Sequence, residues 1–136
     1  MRSKADVVVV GGGIIGVAVA FYLAKRKYGQ IVLLEKEPFL GSGSTSKAAG
    51  GIRAQFSSAA NIQMSMLSED LFCRFKEDTG SEALYDQVGY LFVLSDDKDV
   101  VEYKKHYELQ RSLGLKVDLL KPDEIAQYAP RTFFPF

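Results

Sequence analysis

Cysteine, histidine and tryptophan are nearly missing from this sequence: one, one and none in 136 residues. Each scarcity removes a class of explanation. A lone Cys73 builds no disulfide framework, so a reducing, cytoplasmic setting is expected. With His106 the only imidazole, there is no Cys/His cluster at metal spacing, and no structural zinc is expected. Excess charge is missing too, since 17 basic residues meet 17 acidic ones. That excludes the footprint of a nucleic-acid or anionic-membrane binder and leaves a small-molecule partner as the expectation. Val7 to Ala24 is uncharged and follows Arg2 and Lys4, which is the outline of a signal peptide or membrane anchor. Three successive glycines, Gly11 to Gly13, break it at about 1 kcal/mol each in a helix interior. Asp6 stands at its mouth, and another short apolar segment, Ile31 to Leu34, follows as a soluble sheet requires, so no transmembrane span is expected.

What is present begins with a β-branched run. Asp6 to Val10, with four valines in a row, is too short for a helix and predicts a strand buried on both faces of a parallel sheet. Ile14 to Lys27 predicts a helix whose last turn, Lys25 to Lys27, places cations at the negative end of the dipole. Gln30 to Glu35 predicts a second strand. Strand, glycine turn, helix and strand within about thirty residues make a right-handed βαβ crossover. The helix is apolar around nearly its whole circumference (Ile14, Ile15, Val17, Val19, Phe21, Tyr22, Leu23), so it expects protein on several sides.

Composition changes near Gly41, where a Gly/Ser/Thr/Ala segment runs to Gly51. Beyond it, Ala59 to Thr79 predicts a helix with Met64, Leu67, Leu71 and Phe75 on one stripe, Ser58 as N-cap and Gly80 at its end. Tyr85 to Leu94 predicts a strand with Val88, Tyr90, Phe92 and Leu94 on one face. Asp96 to Leu113 predicts a polar amphipathic helix after Ser95 and before Gly114. Lys116 to Leu120 reads as a strand and Pro122 to Tyr128 as a short helix with Pro122 in its first turn. The closing PRTFFPF, residues 130 to 136, leaves aromatics with no charged tail and reads as the mark of a truncated product.

The chemistry sits in VVVVGGGIIG. Gly11, Gly13 and Gly16 form the G-x-G-x-x-G fingerprint directly after a strand and at the start of a helix, the context that gives the motif its meaning. Gly11 permits the tight turn, Gly13 lets backbone approach a pyrophosphate, and Gly16 lets helix and strand pack closely. The unpaired amides at the helix start, Ile14 and Ile15 among them, face the phosphates, and no acidic residue lies between Asp6 and Glu35 to oppose them. Glu35, nineteen positions after Gly16, ends the second strand where a carboxylate accepts from ribose hydroxyls and repels a 2′-phosphate; Lys36 beside it pulls the other way. A helix after the glycines argues against a kinase loop, and the lack of Gly-Lys-Ser/Thr argues against a Walker loop.

The segment Gly41 to Arg53 separates NAD from FAD. An NAD fold continues here into a further helix and strand. Instead Ser44, Thr45 and Ser46 offer hydroxyls, while Gly50 and Gly51 let backbone lie against a flat ring system; a flexible linker is the competing reading. At VVVVGGGIIGVAVAFYLA, VLLEK, GSTSKAAGGIRAQFS and GYLFVL the sequence resembles the amino-acid oxidase family of flavoproteins, the group that includes glycine oxidase, D-amino-acid oxidase and sarcosine oxidase β subunits, over essentially its whole length. The resemblance implies an α/β fold with a Rossmann-like FAD-binding βαβ unit and the start of a second α+β layer, an incomplete flavoprotein fold. It divides the chain into a flavin unit, 1–56, and a helical segment opening a substrate-domain sheet, 57–136. It implies that Ser44, Thr45, Ser46, Gly50, Gly51 and Ile52 line the pyrophosphate and isoalloxazine side of FAD. It also implies oxidation of a C–N bond of a small amine or amino acid.

Some relatives tether flavin through a histidine in this loop, where Lys47 stands here, so FAD is expected to be non-covalent. Arg53 is the one catalytic candidate, as a guanidinium able to stabilise reduced flavin or orient a carboxylate, with a salt bridge at the loop exit as the structural alternative. His106 reads as a solvated surface residue, Cys73 as packing, and Tyr85, Tyr90 and Phe92 as sheet core. Three functional readings stand: a flavin-dependent amine oxidoreductase, an FAD- or ADP-binding module that needs a second subunit or a missing C-terminal half, and an NAD-dependent dehydrogenase.

Overall fold

The structure is a computed structural model that describes residues 4–129. The PRTFFPF run lies outside the described residues. Two compact units divide between Gly51 and Ile52, rather than between residues 56 and 57.

In the first unit, β1 (Val7–Val10) and β2 (Ile31–Leu34) pair in parallel, with α1 (Ile14–Lys25) as the crossover. The register sets Val7 against Ile31 and Val10 against Leu34, and the ladder is extended when the Gly11 amide donates to the Leu34 carbonyl at 2.8 Å. Asp6 pins the other end: its Oδ2 accepts from the Gln30 amide at 2.7 Å, and its own amide donates to the Gln30 carbonyl at 2.9 Å.

The helix stops two residues before the expected Lys27. Arg26 is the cap, Lys27 takes a left-handed φ of 54°, and Tyr28 and Lys27 donate back to the Leu23 and Ala24 carbonyls at 3.1 and 2.9 Å. This is a Schellman ending with lysine where glycine is usual.

The expectation of a strand buried on both faces is not met. Val7 and Val9 are half-buried, whereas Val8 is 52% and Val10 82% exposed. The reason is the layer count: among the described residues this sheet has two strands, and α1 covers one face. The fully apolar helix accordingly buries none of its residues completely, and Ile14, Ile15 and Val19 stay exposed.

The second unit is helical: α2 (Ala59–Cys73), α3 (Phe75–Thr79), α4 (Asp97–Ser112) and α5 (Ile125–Tyr128). Ser58 caps α2, accepting from the Asn61 amide at 3.4 Å. Gly80, at φ 77°, closes α3. The single helix expected over 59–79 is broken at Arg74, whose φ of −100° and ψ of 13° leave the helical basin. Asp96 rather than Ser95 caps α4, its carboxylate accepting from the Lys98 amide at 2.7 Å. Gly114 ends that helix in a second Schellman turn, with the Leu115 amide on the Gln110 carbonyl at 3.0 Å. The turn at 122–124 holds Pro122 outside α5.

The core of this unit is Ala54, Ile62 and Ile125 with a buried Gln110, whose Nε2 donates to the Phe56 carbonyl at 2.9 Å and ties 52–56 to this unit. Ile62 is the buried residue of α2, flanked by half-buried Met66, Glu69 and Phe72; of the expected stripe Met64 and Leu67 are exposed, whereas Leu71 and Phe75 are half-buried. Burial pushes the Glu69 carboxyl up, with Asp70 adding to it.

Neither strand expected in this unit forms among the described residues. A strand needs a hydrogen-bonding neighbour, and residues 85–94 have none. Phe92 and Leu94 are half-buried as the alternation required, but Val88 and Tyr90 are exposed. The aromatics pack on helices instead: Tyr85 lies 5.4 Å from Phe72 and Phe92 5.6 Å from Tyr103. His106 is half-buried, its ring 5.4 Å from that of Tyr103 and its Nε2 3.5 Å from Glu102. Cys73 is exposed rather than packed, with Gln87 Nε2 3.4 Å from its sulfur.

Candidate functional site

The register of the first unit decides the site. With Val10 opposite Leu34, the residues after them, the glycine turn and Glu35, emerge side by side at the carboxyl ends of the strands, where open α/β sheets bind ligands.

The glycines of the turn are required for different reasons. Gly11 has a φ of 102° with open space around its missing Cβ, so its requirement is conformational. A Cβ on Gly16 would run into the Gly11 carbonyl and come within 3.5 Å of Val9 Cγ1, so its requirement is close packing of helix on strand. A Cβ on Gly13 would lie 3.2 Å from Thr45 Oγ1.

Glu35 turns toward the turn. Its Oε2 accepts from the Gly12 amide at 2.6 Å and its Oε1 from the Glu37 amide at 2.9 Å. These two hydrogen bonds, Glu37's first, hold its carboxyl below the ordinary glutamate range, and burial opposes them only in part. Lys36, beside it, lies 3.5 Å from Glu37 Oε1 and is highly exposed.

Gly13 is the N-cap of α1 and brings no capping side chain of its own, and the first turn holds no acid. The amides of Ile15 and Gly16 have no carbonyl four residues back within the helix. The Ile14 amide donates to Thr45 Oγ1 at 3.0 Å, across 31 residues of sequence. The loop is folded to make this possible: the Gly41 amide donates to the Gly12 carbonyl at 2.9 Å, Gly41 sits at φ 77°, and a 3-10 turn (Thr45–Lys47) follows. The structure thus gathers Gly11, Gly13, Ile14, Ile15, Gly16, Glu35 and Thr45. Ser44 and Ser46 are exposed on the loop, the Ser44 carbonyl accepting from the Lys47 amide at 3.2 Å and Ser46 Oγ donating to the Gly43 carbonyl at 3.1 Å. Gly50, at φ 75°, and Gly51 are exposed at the end of the first unit, and Ile52 and Arg53 open the second.

Among the described residues Arg53 forms no salt bridge. Its guanidinium stacks over Phe56 at 4.7 Å and Phe92 at 5.6 Å.

Sequence reasoning missed Gly12, the enclosed residue of the turn, although three glycines in a row are one more than the fingerprint needs. Asp6, read there as the start of the first strand and as evidence against a membrane segment, also pins the start of the second strand through the Gln30 amide.

Replacing Thr45 by valine keeps the shape and removes the acceptor on the helix terminus. Urea unfolding is expected to show a loss of about 1 kcal/mol for Thr45→Val, as for a lost N-cap, and little loss for Thr45→Ser.

The cradle fits an ADP moiety: amides without opposing acid at a helix start, a glycine where a Cβ would crowd the approach, and an ionised carboxylate at the ribose position. Comparisons with known proteins point the same way. Residues 6–135 match the profile of the family described as FAD dependent oxidoreductase. The chain is 34% identical to FAD-dependent oxidoreductase domain-containing protein 1 of Xenopus laevis, covering 94% of this chain and 28% of that protein. It is 33% identical to mouse mitochondrial sarcosine dehydrogenase, over 96% of this chain and 14% of that protein. A crystal structure of glycine oxidase from Geobacillus kaustophilus superposes with a TM-score of 0.75 at 30% identity, covering 90% of this chain and 35% of that one. The chain thus spans about a third or less of the length of these relatives. A βαβ cradle built for an adenine dinucleotide and a family match running from Asp6 almost to the last residue lead to one conclusion: this chain belongs to the FAD dependent oxidoreductase family.

Proposed function

We propose that the protein containing this chain oxidises the C–N bond of a small amino acid or secondary amine, of the glycine, sarcosine or proline kind, with non-covalently held FAD. The observation that carries the reading is the meeting of Glu35, the Gly12 amide and the Thr45–Ile14 bond at the carboxyl end of the parallel pair. Relatives named glycine oxidase and sarcosine dehydrogenase supply the substrate class.

The first unit's part in the reaction is to bind. Glu35 receives ribose hydroxyls, the amides of Ile15 and Gly16 receive the pyrophosphate while the Ile14 amide is held by Thr45, and Ser44, Ser46, Gly50, Gly51 and Ile52 are proposed to line the rest of the cofactor. FAD, when bound, would supply the acceptor for the hydride that leaves the carbon of the substrate's C–N bond. Lys47 stands where a tethering histidine would be, so acid precipitation is expected to release all yellow colour from the protein.

Arg53 remains the candidate for orienting a substrate carboxylate. Its stacking predicts that Arg53→Ala costs about 0.5–1 kcal/mol in thermal unfolding. A catalytic role requires in addition that flavin reduction slows, and an unchanged rate retires that role.

The alternative reading, an FAD- or ADP-binding module completed by another subunit or a longer chain, rests on the share of each relative that this chain spans. Flavin absorption after reconstitution supports both readings. Turnover with sarcosine, glycine or proline isolates the enzyme, and loss of colour on gel filtration overturns both.

A further inference from the structure

Arg53 is exposed, yet its guanidinium is held. It stands over the ring of Phe56 at 4.7 Å and over that of Phe92 at 5.6 Å, two half-buried rings from distant parts of the chain. Helix α4 fixes both of them. Phe56 is fixed through its backbone, whose carbonyl accepts from Nε2 of the buried Gln110 at 2.9 Å. Breaking that bond would leave a buried amide unpaired, so the tie is firm. Phe92 is fixed through its ring, which packs on Tyr103 at 5.6 Å. Tyr103 and Gln110 lie about two turns apart on one covered face of α4.

What holds Arg53 also leaves it available. A carboxylate would order the guanidinium but neutralise it and occupy its donors. An aromatic face attracts the cation while carrying no net charge of its own. Among the described residues no acid and no hydrogen-bond acceptor meets Arg53. Ordering a long side chain at the moment of binding costs a ligand about two- to tenfold in affinity, and an arginine ordered beforehand avoids that loss.

We propose that Phe92, backed by Tyr103, is a positioning residue for carboxylate recognition: its ring keeps Arg53 ordered, charged and without an acid partner, as a planar fork of donors for a substrate carboxylate. The substrate so selected is an amino acid or N-alkyl amino acid, and not a bare amine. The inference rests on the carboxylate role proposed for Arg53.

The test follows the Arg53 Nε–H resonance by NMR in the 136-residue chain as sodium acetate replaces sodium chloride at constant ionic strength. Phe92→Leu, Phe92→Tyr and Tyr103→Leu are compared with the unsubstituted chain, and each is also unfolded in urea. Phe92→Leu keeps an apolar side chain and removes the aromatic face. Phe92→Tyr keeps the face. Tyr103→Leu touches neither ring on Arg53 and removes only what backs Phe92. Acetate is expected to move the resonance saturably in the unsubstituted chain. Phe92→Leu is expected to weaken acetate about two- to tenfold, Phe92→Tyr to restore it, and Tyr103→Leu to fall between.

If Phe92→Leu lowers the unfolding midpoint while acetate binds as before, the ring is packing alone and the positioning role is wrong. Should Phe92→Leu fail to fold, Tyr103→Leu decides: weaker acetate binding upholds the role and unchanged binding overturns it. An unsubstituted chain whose Arg53 resonance ignores acetate defeats the carboxylate role of Arg53, and the task of Phe92 with it. The expected acetate effects without turnover of sarcosine, glycine or proline uphold the positioning role and defeat the oxidation reading.

Discussion

Glu35→Ala is expected to lower FAD affinity by about 100-fold, measured as quenching of flavin fluorescence during titration. The substitution removes the acceptor for the ribose hydroxyls, and hydrogen bonds to an ionised group are each worth about a factor of ten or more. It also strands the Gly12 amide, which now donates to Oε2 at 2.6 Å. Glu35→Gln keeps the shape with one acceptor fewer and is expected to fall between, at about tenfold.

The pH dependence has a definite sign. The amides of Glu37 and Gly12 stabilise the ionised form, so the folded carboxyl titrates below its unfolded value. Its contribution to folding, and to cofactor binding, is then complete above the unfolded value and is lost as pH falls through the lower, folded one. FAD affinity is expected to hold through the range where an ordinary glutamate protonates and to fail only at more acid pH. An affinity that declines already at the ordinary glutamate range counts against this hydrogen bonding.

Gly16→Ala is expected to be the most damaging single methyl group in the first unit. The added Cβ overlaps the Gly11 carbonyl and approaches that residue's carbonyl carbon to 3.1 Å. Backbone cannot swing aside as a side chain does, so α1 must lift from β1 or the turn must open, at a cost of about 3 kcal/mol, the upper end of overpacking penalties. Gly11→Ala meets no atom within 4 Å but has to adopt a φ of 102°, at about 1–2 kcal/mol. Urea unfolding of the two variants is expected to place Gly16→Ala well below Gly11→Ala. The reverse order would mean that strain at the turn, not helix–strand packing, limits this unit.

The two units were legible to different degrees, for a common reason. In the first, local signals coincide with tertiary needs. Four valines make a strand, glycines at fixed spacing make the turn, and a helix start without acids makes an anion site, so the βαβ order and the placing of Gly11, Gly16 and Glu35 could be read residue by residue. Capping chemistry was equally readable in the second unit, where Ser58, Gly80 and Gly114 act as expected. Strands at 85–94 and 116–120 were not, because alternation describes the two faces of a segment and says nothing about whether a partner exists to complete its hydrogen bonds. The first half of the stripe expected from residue 59 onward missed for a similar reason: Met64 and Leu67 are as apolar as Ile62 and Met66, and only the position of neighbouring segments decides which are covered, whereas Leu71 and Phe75 are half-buried as expected.

By itself, the amino-acid sequence determined the chemistry of the turn, since φ preference, charge and missing Cβ atoms belong to residues and travel with them. Tertiary structure alone decided which groups meet. The Thr45 hydroxyl on the Ile14 amide, the Gly12 amide on Glu35 and the Arg53 guanidinium over Phe56 and Phe92 are contacts of through-space geometry. A bond spanning 31 residues of sequence leaves no local pattern, because its energy depends on the path of the chain between its ends.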